Sequence, residues 1–160
     1  MNPALQPLAK LLSLHTRLFE NCLDGVEGAV AQQRPNEHTN HLAFLASHLA
    51  DARFYLARLL GSSVESPFKE LDAVRRVEEM HVVPALSEIR AAWVEVAVVL
   101  SARFASIRAE ELALETAQKF PLGDGTLLDG IAFLLHHEAY HMGQMAMLRK
   151  YFGLRPMRYD

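Results

Sequence analysis

The 160-residue chain has one cysteine, Cys22, and so can form no disulfide within itself. A single thiol suits a reducing compartment, and the cytoplasm is the expected address. No apolar run approaches the roughly 18 residues that a membrane span needs, so no membrane partner is expected. Lys10 interrupts the only apolar stretch near the start, and no secretory leader is expected. The chain also lacks an excess of positive charge. Its sixteen Lys and Arg are dispersed among nineteen Asp and Glu, for a net charge of −3. Without a basic stripe, no nucleic-acid partner is expected. Internal repeats, low-complexity segments and convincing strand patterns are missing as well. What is present is 51% hydrophobic and 22% charged residues, an ordinary globular mixture. It is long enough to bury a core, and a single domain over 1–160 is expected.

The apolar residues recur at helical spacing in four long stretches. Asn2-Pro3 reads as an N-cap with proline at the first helical position. From Ala4 to about Leu23, Leu5, Leu8, Leu11, Leu12, His15, Leu18, Phe19 and Cys22 are expected to share one face. Asp24-Gly25 breaks the pattern, Val26 to Gln33 can form a short turn, and Pro35 opens a loop. Thr39 is the expected N-cap of a second helix, Asn40 to Leu60, which Gly61 ends. Its apolar stripe is Leu42, Leu45, Leu49, Ala52, Leu56 and Leu59. A weakly helical piece, Glu70 to Val82, precedes a third helix from Ala85 to about Phe104, on which Trp93 is a packing residue. Ile107 to Leu114 reads as a short helical turn. Thr126 with Asp129 makes a capping box for the fourth helix, Leu127 to about Tyr151, and Gly153 stops it. The expected fold is all-α, a four-helix bundle with long crossover connections.

The chemistry concentrates in His136-His137-Glu138-Ala139-Tyr140-His141 on the fourth helix. His137 and His141 are one helical turn apart, about 40° around the axis and about 6 Å along it. Both imidazoles can therefore face one point, which suits an ion bound at roughly 2.0–2.1 Å. His136 points elsewhere. A third ligand is expected from His48, which lies on the apolar stripe of the second helix. A buried, unpartnered polar group costs about 1–3 kcal/mol, and a metal ion is one way to satisfy it. Asp51, one turn beyond His48, is a candidate acceptor for an imidazole N–H and a candidate catalytic group. Glu138 is the other catalytic candidate, although it points about 100° from His137 and reads better as a rim residue or salt-bridge partner. His15 reads as a core or pocket-edge histidine, and Cys22 as a small core residue. His41 lies two turns before His48.

Two other metal chemistries fit parts of the pattern. His137-Glu138-Ala139-Tyr140-His141 satisfies the zinc-protease string H-E-x-x-H. Only nineteen residues follow His141, however, and Gln144 stands where the extended pattern has Gly. A di-iron bundle would pair Glu138-x-x-His141 with Glu78-x-x-His81. His81 falls in a connection just before Pro84, and Glu20 and Asp51 are the only inward carboxylates expected on the first two helices.

The stretches His41 to Gly61 and His136 to Gly153 resemble the DinB/YfiT-like superfamily of four-helix bundles. The motif is one His in an H-L-x-D-A context on helix two, here His48 with Leu49, Asp51 and Ala52. It continues with H-x-x-x-H and G-Q on helix four, here His137, His141, Gly143 and Gln144. The resemblance implies a divalent ion on His48, His137 and His141, nickel or zinc first, with iron or manganese as further choices. Many members form homodimers, so a homodimer is expected; the resemblance gives a site rather than a substrate, and a small-molecule substrate is the expectation. Characterised branches include thiol S-transferases using bacillithiol or mycothiol and a mycothiol-dependent maleylpyruvate isomerase, so a low-molecular-weight thiol is a possible cosubstrate. The expected function is a metal-dependent transferase or hydrolase. The alternative is a non-catalytic metal-binding stress or interaction protein.

Overall fold

A computed structural model of the chain describes residues 2–71, 74 and 76–159. Asp72, Ala73 and Arg75, inside the weakly helical stretch, lie outside the described residues. Among the described residues the α-helices are α1 (Gln6–Leu23), α2 (Gly28–Ala31), α3 (Leu42–Leu59), α4 (Leu86–Ser106), α5 (Ala109–Leu112) and α6 (Leu127–Tyr151). Short 3-10 turns cover Pro3–Leu5, Lys69–Leu71 and Val77–Glu79. Among the described residues there is no strand, only one isolated bridge between Glu115 and Thr126. No helix there is long and apolar enough to cross a membrane.

The four long helices close into a ring. α1 packs against α4 and α6, and α3 packs against the same two, which puts α1 and α3 on a diagonal. The core they enclose includes Phe19, Leu49, Phe54, Trp93, Ile131 and Met145, all fully buried. Each such large apolar side chain contributes about 1.5–3 kcal/mol by leaving water. Trp93 of α4 stacks on Phe19 of α1 with ring centroids 3.9 Å apart.

The helix ends follow local chemistry. Asn2 Oδ1 accepts from the Ala4 N–H at 2.9 Å, as its capping role requires. The cap of α3 is His41, not Thr39. His41 Nδ1 accepts from the Phe44 N–H at 2.9 Å, while the Thr39 hydroxyl donates to Asn36 Oδ1 at 2.8 Å in the preceding turn. Thr39 is thus already committed, and the helix starts later. Gly61 ends α3 at φ +84°, and Ser62 N–H returns to the Ala57 carbonyl at 2.9 Å. A side chain at that φ would be strained, so glycine belongs there. The capping box of α6 is present, with Asp129 Oδ2 accepting from the Thr126 N–H at 3.0 Å and Thr126 Oγ1 from the Asp129 N–H at 3.3 Å.

The buried face of α3 differs from the expected stripe. Ala52 and Leu59 are only half-buried, whereas Arg53 and Leu60 are buried. Because α3 packs against two helices, its inward face is broad and centred one residue further round.

Candidate metal centre

His48 stands on the middle of α3, and His137 and His141 on α6, where the two helices face one another. All three rings are half-buried. His48 Nε2 lies 3.1 Å from His137 Nε2, and His141 Nε2 lies 3.0 Å from the same atom. Nitrogens bound to one ion at about 2.0–2.1 Å, with angles near 90–110°, stand about 2.9–3.4 Å apart. The spacing fits that requirement, and these three residues form a group that could hold a metal ion.

The lone pairs make the same point. A neutral imidazole nitrogen is either one donor or one acceptor. His137 Nε2 has two ring nitrogens at hydrogen-bonding distance and can serve only one of them well. A single cation at the point of convergence accepts all three lone pairs.

The surroundings favour neutral rings. Burial, then the neighbouring His141, pushes His137 down to about 4. Burial also lowers His141, against a hydrogen bond to Gln144 that raises it. Gln144 Oε1 sits 2.7 Å from His141 Nδ1. An N–H at Nδ1 donating to that oxygen leaves the Nε2 lone pair directed at the site. His137 Nδ1 is buried and has no hydrogen-bond partner among the described residues. Each ring has an aromatic neighbour: Phe44 stacks on His48, Phe133 on His137, and Tyr140 meets His141 edge-on.

The other expected site residues separate by location. Asp51 is half-buried and lines a small recess with His48, Phe44, Ser47, Leu71 and Val74. Glu138 turns away from the three rings into the core, where it is 2% exposed. Its Oε1 accepts from Arg53 Nε at 2.7 Å, and its Oε2 from Arg53 Nη2 at 3.0 Å. Oε2 is also 3.0 Å from His15 Nδ1. Burial alone would raise the Glu138 pKa, but the Arg53 charge and the hydrogen bonds from His15 and Arg53 outweigh it and the net direction is down. Glu138 is therefore a salt-bridge partner in the core, not a rim residue. His15 is the core histidine expected of it. His41 is committed to its helix cap, and burial, with the Arg34 charge, lowers its pKa. His136 is exposed. Glu78 pairs with Arg34 at 2.7 Å on the surface, and His81 is exposed in the crossover, so the second E-x-x-H of a di-iron centre is not assembled. Cys22 is fully buried, and burial pushes its thiol up to about 11.

Arg53 is the residue that the sequence reading passed over. It is fully buried, with its guanidinium 3.4 Å from the centroid of the Trp93 ring. A signal was available: Arg53 follows Leu49 by four and precedes Leu56 by three, which places it on the apolar face.

A separate cavity of about 650 Å³ lies between the 66–71 segment and α4, lined by Phe68, Leu71, Val82, Pro84, Ala92 and Glu95 among others. Leu71 lines both this cavity and the recess at His48.

Compared with known proteins, the sequence matches the family model of the DinB superfamily over residues 11–145, a span that contains all three histidines. No match is found among curated proteins.

Proposed function

The chain belongs to the DinB superfamily, and from that premise we propose that it is a divalent-metal-dependent enzyme acting on a small molecule, of thiol S-transferase or hydrolase type. His48, His137 and His141 hold the ion through Nε2. The observation that carries this reading is the convergence of three Nε2 atoms with no fourth His, Cys, Asp or Glu joining them among the described residues. Three protein ligands leave positions for water or substrate, the pattern of a reactive rather than a structural ion. When bound, such an ion supplies Lewis acidity, lowering the pKa of a bound water to about 7 or favouring the thiolate of a thiol.

The chain's own residues supply orientation and shelter. Gln144 fixes the His141 ring through Nδ1. Phe44, Phe133 and Tyr140 wall the three imidazoles and limit solvent around them. Asp51 shares the recess with His48 and is the carboxylate placed to orient a ligand or hold a proton there. Glu138 has its oxygens committed to Arg53 and His15 and does not serve as a base. Nickel and zinc suit an all-imidazole site among available late divalent ions. A low-molecular-weight thiol as cosubstrate, a cytoplasmic location and a homodimer belong to the same proposal.

The test is metal analysis by mass spectrometry, followed by turnover of small electrophiles with thiols. About one ion per chain, with turnover lost in His141→Ala, supports the proposal. Equal turnover in wild type and His141→Ala overturns it. A second reading is a non-catalytic protein in which the ion pins α3 to α6. It is favoured by the commitment of Glu138 to the core, which leaves Asp51, in the recess with His48, as the remaining catalytic candidate. Direct binding of a thiol or carboxylate to the ion, seen in the visible spectrum of the cobalt-loaded protein, counts against that second reading.

A further inference from the structure

The HEAYH string places a carboxylate directly after a candidate ligand, and the fold turns that carboxylate away from the three rings into the core. Glu138 follows His137 by one residue, about 100° around α6. Leu134, Leu135, Met142 and Met145 surround it on the buried side of the helix. A charge in such a stripe is tolerated only with partners. Arg53 meets both of its oxygens, at 2.7 and 3.0 Å. Arg53 makes two further bonds: Nη1 donates to Thr16 Oγ1 at 2.8 Å and Nη2 to the Leu12 carbonyl at 3.3 Å. His15 closes the cluster on Glu138, and Trp93 lies under the guanidinium. All four long helices meet at this one fork.

We infer that Arg53 and Glu138 are positioning residues for the three-histidine site: their two-pronged contact fixes the rotation of α6 against α3 and so sets where the imidazoles converge. The argument is geometric and rests on the metal-site reading above. The two helices joined by the fork are the same two that carry the histidines. Arg53 lies five residues beyond His48, and Glu138 one beyond His137. Apolar packing alone permits small rotations, because many side-chain arrangements fill the same volume. A His Nε2 stands about 6–7 Å from the helix axis, so a 20° rotation of α6 moves it by about 2 Å. Coordination at about 2.0–2.1 Å tolerates a few tenths of an ångström. A planar guanidinium fork has one best orientation to a carboxylate, which apolar contacts lack. The local sequence gives the same brace a short lever, since Glu138 and His137 are adjacent on one rigid turn.

The test is nickel or zinc titration of the full chain, with melting of the metal-free protein measured beside it. Two variants are compared with wild type. Arg53→Lys keeps the charge and loses the fork. The double variant Arg53→Met/Glu138→Leu replaces the pair with apolar groups of similar size, a change that buried pairs tolerate well in stability. The expected result is a folded metal-free protein in at least one variant, metal affinity about 10–100-fold weaker, and multiple or broadened imidazole signals by NMR. A merely structural role predicts that affinity returns wherever folding does. Either variant, folded and binding within about twofold of wild type, overturns the inference. Failure of the wild type itself to bind nickel or zinc overturns the metal-site reading and this inference with it.

Discussion

His48 Nε2 and His137 Nε2 stand 3.1 Å apart although 89 positions separate them in the chain. The contact joins the middle of α3 to the middle of α6, and His141 completes it from the next turn. Metal content should follow from this geometry. About one divalent ion per chain is expected by mass spectrometry, and it should be lost in both His48→Ala and His137→Ala. About two ions per chain would contradict a mononuclear three-histidine site.

Saturating metal should also stabilise the fold. Free ion at 100 times its Kd contributes about 2.7 kcal/mol. For a chain of this size that corresponds to a rise in Tm of roughly 5–10 °C. Differential scanning calorimetry with and without zinc measures it, and the His141→Ala protein should show little of the rise.

Gln144 should matter to binding more than to folding. Its Oε1 is 2.7 Å from His141 Nδ1. Gln144→Leu removes the acceptor that orients the ring and should weaken metal binding by about 10–100-fold. Competition against a chromophoric chelator reads the change.

The metal-free protein should lose stability in mild acid. His137 has its pKa lowered from 6.5 to about 4 by burial first and His141 second, and His141 is lowered in the same direction. Between about pH 6.5 and pH 4 the unfolded chain therefore binds protons that the folded chain refuses, and stability falls as pH falls. Glu138, whose folded pKa is also lowered, adds to the loss below its ordinary value of 4.5. Urea unfolding at a series of pH values gives the slope. His137→Gln should flatten it above pH 4.5, by up to one proton.

Two further substitutions or modifications test the packing. A Cβ at Gly130 would stand 2.8 Å from Phe120 Cε2 and 3.2 Å from Leu59 Cδ2, so Gly130→Ala should cost about 1–3 kcal/mol in denaturant unfolding. Cys22, buried and with its thiol near 11, should react with iodoacetamide at pH 8 at least about 100-fold more slowly than free cysteine, until the chain unfolds.

Much of this architecture was legible because it rests on short-range rules. The i, i+4 spacing of His137 and His141, the Thr126–Asp129 box and the positive-φ glycines Gly61 and Gly153 each involve residues within one turn or one cap. His48 could be placed because a histidine on an apolar stripe calls for a partner. The partners themselves are not local. Arg53 and Glu138 lie 85 positions apart, and nothing near either residue announces the other. Thr39 looked like a cap because its residue type favours that role, but its hydroxyl is taken by Asn36. Residue preferences describe what a side chain can do. Competition among neighbours decides what it does.

The three rings come from α3 and from the last long helix of the bundle. During synthesis, His48 leaves the ribosome long before residues 137 and 141 exist. A growing chain, or one cut short before α6, holds His48 without the two rings that meet it in the folded molecule. On the proposed metal-site reading, the chelate would therefore form only once α6 has packed against α3.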